Sequence, residues 1–185
     1  MINAQAVLNL ASLINHDASV YEVEDEGLLA PEVALLEADG LRLKTPLSWH
    51  IIVRSTGGDD DYILEGEVEG VALMECRRCL DDVEVAASSS FVYPMIYKAG
   101  VEKLQLREDD SEEDDVLVFG KPEVDFAELI TQLFAIELPL TALCREDCKG
   151  LSPDGINLNE HPELAPEPKA EEKESPFSVL KDIEL

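Results

Sequence analysis

The sequence predicts a mainly β, α+β fold: an antiparallel meander sheet or partly closed barrel of long strands, one packed helix near 125–138 and a disordered acidic C-terminal linker. Three observations carry that prediction. Apolar and polar residues alternate over three long runs between Leu41 and Tyr97. The connections between the runs are too short for the crossover helices a parallel sheet needs. One later stretch changes from strand spacing to helical spacing. The 185 residues include 14 Lys and Arg against 41 Asp and Glu, a net charge of −27, with 45% apolar residues. That apolar share supports a core in one globular domain, expected over 1–160.

Taken in order, residues 1–41 hold eight acids and no base. Asn9–Asn15 predicts one or two helical turns with Leu10, Leu13 and Ile14 on one side, and Val20–Glu24 a short strand. Gly27–Gly40, with Pro31, reads as irregular. From Leu41 to Val53 every second residue is apolar or Thr (Leu41, Leu43, Thr45, Leu47, Trp49, Ile51, Val53), so a long strand with one buried face is expected. Pro46 cannot donate to a ladder and points to an edge or a nearby bulge. After the turn at Gly57–Asp61, Leu64, Gly66, Val68, Gly70, Ala72 and Met74 share one face, and Glu65, Glu67 and Glu69 the other. A third run places Val83, Val85, Ala87, Ser89, Phe91, Tyr93, Met95 and Tyr97 together.

Seven of the eight residues in Glu108–Asp115 are acidic, a self-repelling block expected within a mobile loop, about 102–121. Asp125 and Glu128 form a capping box ahead of the stripe Phe126, Leu129, Ile130, Leu133 and Phe134; Pro139 ends the helix. The stripe reads as sheet-facing core, with a partner-binding face as the competing reading. Residues 161–185 read as a flexible acidic tail, in which Phe177, Leu180 and Ile183 mark either a short docking helix at 176–183 or a fraying end.

No apolar run reaches the roughly 18 to 20 residues that span a bilayer, and the start Met1-Ile-Asn-Ala-Gln lacks a basic n-region. A cytoplasmic protein with reduced thiols is therefore expected. Cys76-Arg-Arg-Cys79 falls where the second and third runs are joined, and Cys144-Arg-Glu-Asp-Cys148 follows the helix. Two thiols per turn, paired across 64 intervening residues, can complete a four-thiolate site for one structural zinc ion. Arg77, Arg78 and Arg145 would lower the thiol pKa values and offset the anionic centre. Four plain reduced thiols, or a redox pair at Cys76 and Cys79, are the other readings. His16, His50 and His161 are scattered, and no phosphate loop, nucleophile elbow or His-Glu-x-x-His helix is present, so an enzyme is not expected.

The Cys76-Arg-Arg-Cys-Leu80 knuckle resembles the signature of the YceD family. So does Leu138-Pro-Leu-Thr-Ala-Leu-Cys-Arg-Glu-Asp-Cys-Lys-Gly-Leu151, followed by Asn157-Leu-Asn159 and a closing Pro176-Phe-Ser-Val-Leu180. Where the family often has Cys-Pro-x-Cys-Gly, this chain has Ser152-Pro-Asp-Gly155, so two thiols are missing. If those two partner the first knuckle in the family, a zinc site here is incomplete; if Cys144 and Cys148 do, it is intact. The resemblance implies a ribosome-biogenesis factor that promotes accumulation and processing of large-subunit ribosomal RNA, its gene commonly beside that of a small basic ribosomal protein.

A charge of −27 disfavours non-specific contact with phosphate and favours a basic partner. The expected mechanism is binding of a basic large-subunit ribosomal protein, with Glu65, Glu67, Glu69 and the 108–115 block as contacts. Direct ribosomal-RNA binding through Arg42, Lys44 and Arg54 on one strand face, or Arg77, Arg78, Arg145 and Lys149 near the cysteines, is the alternative. A thiol-disulfide oxidoreductase is a third, disfavoured because the Cys76–Cys79 turn joins two strands rather than opening a helix. Oligomeric state is not legible.

Overall fold

The three alternating runs form the centre of the main sheet in the computed structural model, which describes residues 4–165 apart from 17–18, 33–35, 37–39, 59 and 108–114. The elements are β1 (Val7–Asn9), α1 (Ala11–Ile14), β2 (Glu22–Leu29), β3 (Leu47–Ser55), β4 (Asp61–Glu75), β5 (Asp82–Tyr97), β6 (Gln105–Arg107), β7 (Val116–Phe119), β8 (Glu123–Asp125) and α2 (Ala127–Ile136). Among the described residues the sheet runs β2-β3-β4-β5-β7-β6, open at both edges, and β1 pairs with β8 in a separate ribbon. β3 to β5 form the expected antiparallel meander, and β2 extends it by one more antiparallel strand. The longest ladder joins β4 to β5 in register from Asp61 opposite Ile96 to Glu75 opposite Asp82.

Alternation decides which face is buried. Leu47, Trp49, Ile51 and Val53 of β3, Leu64, Val68 and Ala72 of β4, and Phe91 and Met95 of β5 all point into one core. Each large apolar side chain so buried contributes roughly 1.5–3 kcal/mol. α2 closes that core with Ile130 and Phe134, both 0% exposed. The helix comes close because β4 has no side chain at Gly70: a Cβ there would lie 2.6 Å from Leu47 and 3.3 Å from the Phe134 ring. Leu13 of α1 and its N-cap Leu10 belong to the same core, and Phe126, Ile130 and Phe134 are buried in it with Leu129 and Leu133 packed alongside, so the 126–134 stripe is core-facing.

Several expectations need correction. The long strand starts at Leu47, not Leu41. Ser48 pairs with Glu69 while an isolated bridge joins Leu43 to Ala72, so 44–47 oppose only 70–71 and the chain bulges around Pro46. β2 extends to Leu29, past the expected end at Glu24; the alternation is hidden because its less exposed face carries Asp25 and Gly27 between Val23 and Leu29. The stretch read as a loop, 102–121, contains β6 and β7. β7 runs parallel to β5, with β6 as an antiparallel flap within the connection. The Asp125–Glu128 capping box does not form: Asp125 belongs to β8, Phe126 is the N-cap, and the Asp125 carboxylate accepts the Ala127 N–H at 2.9 Å. Most of the acidic block and the proposed docking helix at 176–183 lie outside the described residues.

Candidate metal centre and acidic face

The β4–β5 hairpin ends in a tight knuckle, Cys76–Asp81. Cys76 N–H donates to the Asp81 carbonyl (2.8 Å) and Leu80 N–H to the Cys76 carbonyl (2.9 Å). Closing it places Leu80 at φ 63°, a left-handed conformation that costs a side-chain-bearing residue about 1–2 kcal/mol. Beyond α2 the chain returns alongside: Ala142 makes a parallel bridge to Cys76, and its carbonyl accepts the Arg77 N–H at 3.0 Å. Arg78 then clamps the second loop, its guanidinium donating to the carbonyls of Glu146 (3.1 Å) and Cys148 (2.9 Å).

These contacts bring all four sulfurs within 4.8 Å of one another. Cys76 and Cys148 lie 3.9 Å apart, and Cys79 and Cys144 3.6 Å. A tetrahedron with metal–sulfur bonds near 2.3 Å has edges of about 3.8 Å, so the spacing suits one tetrahedral thiophilic ion. The four cysteines are free thiols; Cys76, Cys79 and Cys148 are buried and Cys144 is exposed. Thus Cys144 and Cys148 complete the knuckle, and the two thiols absent from Ser152–Gly155 are not needed for a four-sulfur cluster.

Electrostatics divide the sulfurs into two pairs. The Cys144 backbone N–H, helped by those of Cys79 and Arg78, pulls the Cys76 thiol down to about 6. The Asn159 side-chain amide, then the Gly150 N–H, lowers Cys148. At Cys79 the Asp81 N–H acts downward, but burial, the Asp81 carboxylate and the Cys76 and Cys144 sulfurs prevail and push the thiol up. Cys144 is raised by desolvation of its sulfur and by Cys148. The thiolate form is thus favoured at Cys76 and Cys148 and the protonated form at Cys79 and Cys144.

A family model described as "Large ribosomal RNA subunit accumulation protein YceD" matches residues 64–184, which include both cysteine pairs. The chain belongs to the YceD family. That description ties the family to large-subunit ribosomal RNA and names no reaction. Uncharacterised proteins of Mycobacterium bovis and Mycobacterium tuberculosis are each 30% identical over 108 residues, covering 56% of this chain and 48% of theirs. One from Mycobacterium leprae is 31% identical over 110 residues, 57% of this chain and 46% of its own. This YceD chain thus spans about half the length of the curated relatives it matches. No solved structure matches it.

The arginines act differently from expectation. Backbone N–H groups at Cys76, and the Asn159 amide with the Gly150 N–H at Cys148, lower the thiols of this YceD protein; guanidinium charges do not. Arg78 is a clamp, Arg145 lies 3.6 Å from Asp147, and Arg77 is exposed. Sequence reading gave no role to Asp81, Asn157 and Asn159, which surround the sulfurs. Asp81 lies 3.2 Å from the Cys79 sulfur and Asn159 3.2 Å from that of Cys148. The Asn-Leu-Asn spacing was visible, but only the fold shows where those amides point.

The second candidate surface is the solvent side of β2–β5. Glu65, Glu67 and Glu69 all lie on it, but they are not equivalent. Glu65 is tied to Arg54, which also binds Glu22 at 2.8 Å. Glu67 lies 4.0 Å from His50, whose other nitrogen is 2.7 Å from Glu24; Glu69 makes no ion pair among the described residues. β2 adds Glu24 and Glu26, which the sequence reading did not include. Together Glu24, Glu26, Glu67 and Glu69 border a hollow of about 1070 Å³ floored by Ser48, His50, Ser88 and Ser90. The proposed basic strand face does not exist as a free patch: Arg42 pairs with Asp82 (2.6 Å), Lys44 with Glu84 (2.5 Å) and Arg54 with two glutamates.

Proposed function

We propose that this chain is a cytoplasmic ribosome-assembly factor that promotes large-subunit ribosomal RNA accumulation by holding a basic large-subunit ribosomal protein on the acidic hollow of β2–β5. The observation that carries the reading is the hollow itself, where four carboxylates face a single weakly basic side chain, His50. A cationic segment placed there replaces carboxylate repulsion with attraction, and the net charge of −27 steers it in. Contact with RNA is then indirect. Direct RNA binding through the strand face loses support because Arg42, Lys44 and Arg54 are each paired with acids.

In the same reading, Cys76, Cys79, Cys144 and Cys148 hold one structural zinc ion. Bound zinc would supply a cross-link between the β4–β5 hairpin and the segment after α2, fixing the end of the sheet. The residues themselves provide the rest: the knuckle presents one sulfur pair, and Arg78 secures the loop bearing the other.

The test is binding of the purified chain to a basic large-subunit ribosomal protein and, separately, to protein-free large-subunit ribosomal RNA. Protein binding should weaken steeply from low to high salt, and Glu67→Lys with Glu69→Lys should weaken it about tenfold or more, mainly through slower association. Salt-independent binding, or tight capture of the RNA with no affinity for the protein, refutes the reading.

A further inference from the structure

We propose that Asn157 and Asn159 are positioning residues of the metal centre, their side-chain amides aimed by backbone hydrogen bonds at the two halves of the sulfur cluster. The inference rests on the metal reading above. A primary amide has an acceptor end and a donor end, so fixing one fixes the other. The Asn159 Oδ1 accepts the Lys149 N–H at 2.8 Å, which leaves Nδ2 facing the Cys148 sulfur at 3.2 Å. The Asn157 Oδ1 accepts the Asn159 N–H at 3.0 Å, and its Nδ2 donates to Asp81 Oδ2 at 2.8 Å. That same carboxylate oxygen lies 3.2 Å from the Cys79 sulfur. One short strap therefore meets the second pair directly and, at the hairpin pair, holds the Asp81 carboxylate, the Asn157 N–H offsetting part of the negative charge that faces Cys79.

The strap is itself anchored. Leu158 is buried and its N–H donates to the Gly150 carbonyl at 2.9 Å, while Ser152 N–H meets the Ile156 carbonyl at 2.8 Å. Four thiolates around a divalent cation carry a net charge of −2 in a mostly buried site. N–H donors to sulfur disperse that charge and hold the sulfur lone pairs in direction. Asparagine suits position 159 where aspartate does not. Aspartate keeps an acceptor for Lys149 but turns a carboxylate oxygen toward the thiolate.

The experiment uses the full chain loaded with Zn²⁺ or Co²⁺ and compares Asn159→Asp with Ser152→Ala. The Ser152 hydroxyl accepts the Ile156 N–H at 3.1 Å, so its loss loosens the same turn without touching a sulfur. Asn159→Asp should lower zinc affinity, measured by chelator competition, roughly 10-fold to 100-fold. It should also shift the sulfur-to-cobalt charge-transfer band, while Ser152→Ala matches the parent in both. Asn159→Ala, which removes the donor without adding charge, gives the same readout if the aspartate variant does not fold. An unshifted band with parental affinity, or equal effects of the serine and asparagine variants, overturns the positioning role alone. A parent chain that takes up neither ion overturns the metal reading and this role with it.

Discussion

Gly150→Ala tests whether the two cysteine arms are held together by close backbone contact. Gly150 has φ 76°, and a Cβ built there lies 3.1 Å from the Arg78 carbonyl oxygen. Gly155 is its control: φ is 81°, yet nothing lies within 4 Å. A left-handed backbone costs an alanine about 1–2 kcal/mol, offset by about 0.4–1 kcal/mol from the stiffer unfolded chain, so strain leaves about 1 kcal/mol at either position. Only Gly150→Ala adds the contact with Arg78, whose side chain is committed to Glu146 and Cys148 and cannot easily retreat. Overpacking of this kind adds about 1 kcal/mol or more. For a chain of this size, each kcal/mol lowers the melting temperature by about 2–4 °C. Gly155→Ala should lose about that much and keep parental metal affinity. Gly150→Ala should lose about twice as much and bind zinc more weakly, because the displaced loop carries Cys148. Thermal melts with and without chelator, together with zinc competition, measure both. Equal losses for the two variants, with metal affinity unchanged in each, would refute the reasoning.

Cys76→Ser should abolish stoichiometric metal binding and lower the melting temperature; parental metal content and melting would show that the knuckle is not a ligand. At pH 7, Cys79 and Cys144, held above the ordinary thiol value, keep their protons, whereas Cys76, held near 6, is largely ionised. Zinc uptake should therefore release about two to three protons rather than four, and affinity should fall more steeply once the pH drops below about 6. Calorimetry in buffers of different ionisation enthalpy measures the release, and four protons would contradict the assignment. Tyr62→Phe should leave stability unchanged or raise it by up to about 1 kcal/mol, since the buried hydroxyl has no hydrogen-bond partner among the described residues. A loss larger than that in urea denaturation would reveal a bond the hydroxyl makes.

The sheet centre and α2 were readable because burial on one face writes its period directly into the chain. Trp49, Ile51 and Val53 alternate, and Phe126, Ile130 and Phe134 recur at helical spacing. β1, β6 and β8 were not readable, since three residues are too few to establish any period. β7 hid for another reason. Leu117, Val118 and Phe119 are all buried, so that strand shows a continuous apolar run with no alternation. Asp125 bore a cap signature, but pairing with Val7 drew it into β8 and passed the cap to Phe126. Cysteine spacing announced two thiol pairs. Their convergence depends on the contact of Cys76 with Ala142, which no local pattern encodes.

Among the described residues β2 is an end strand of the open sheet, with no further strand paired on its outer side. An uncovered strand edge is the usual starting point for self-stacking into fibrils. Here that edge carries Glu22, Glu24, Asp25 and Glu26 within five consecutive residues. Two molecules aligning these margins would crowd eight carboxylates into one seam, at a Coulombic penalty that grows as salt is removed. The same arithmetic reverses for an extended chain rich in lysine, so the margin repels its own kind while remaining receptive to its opposite.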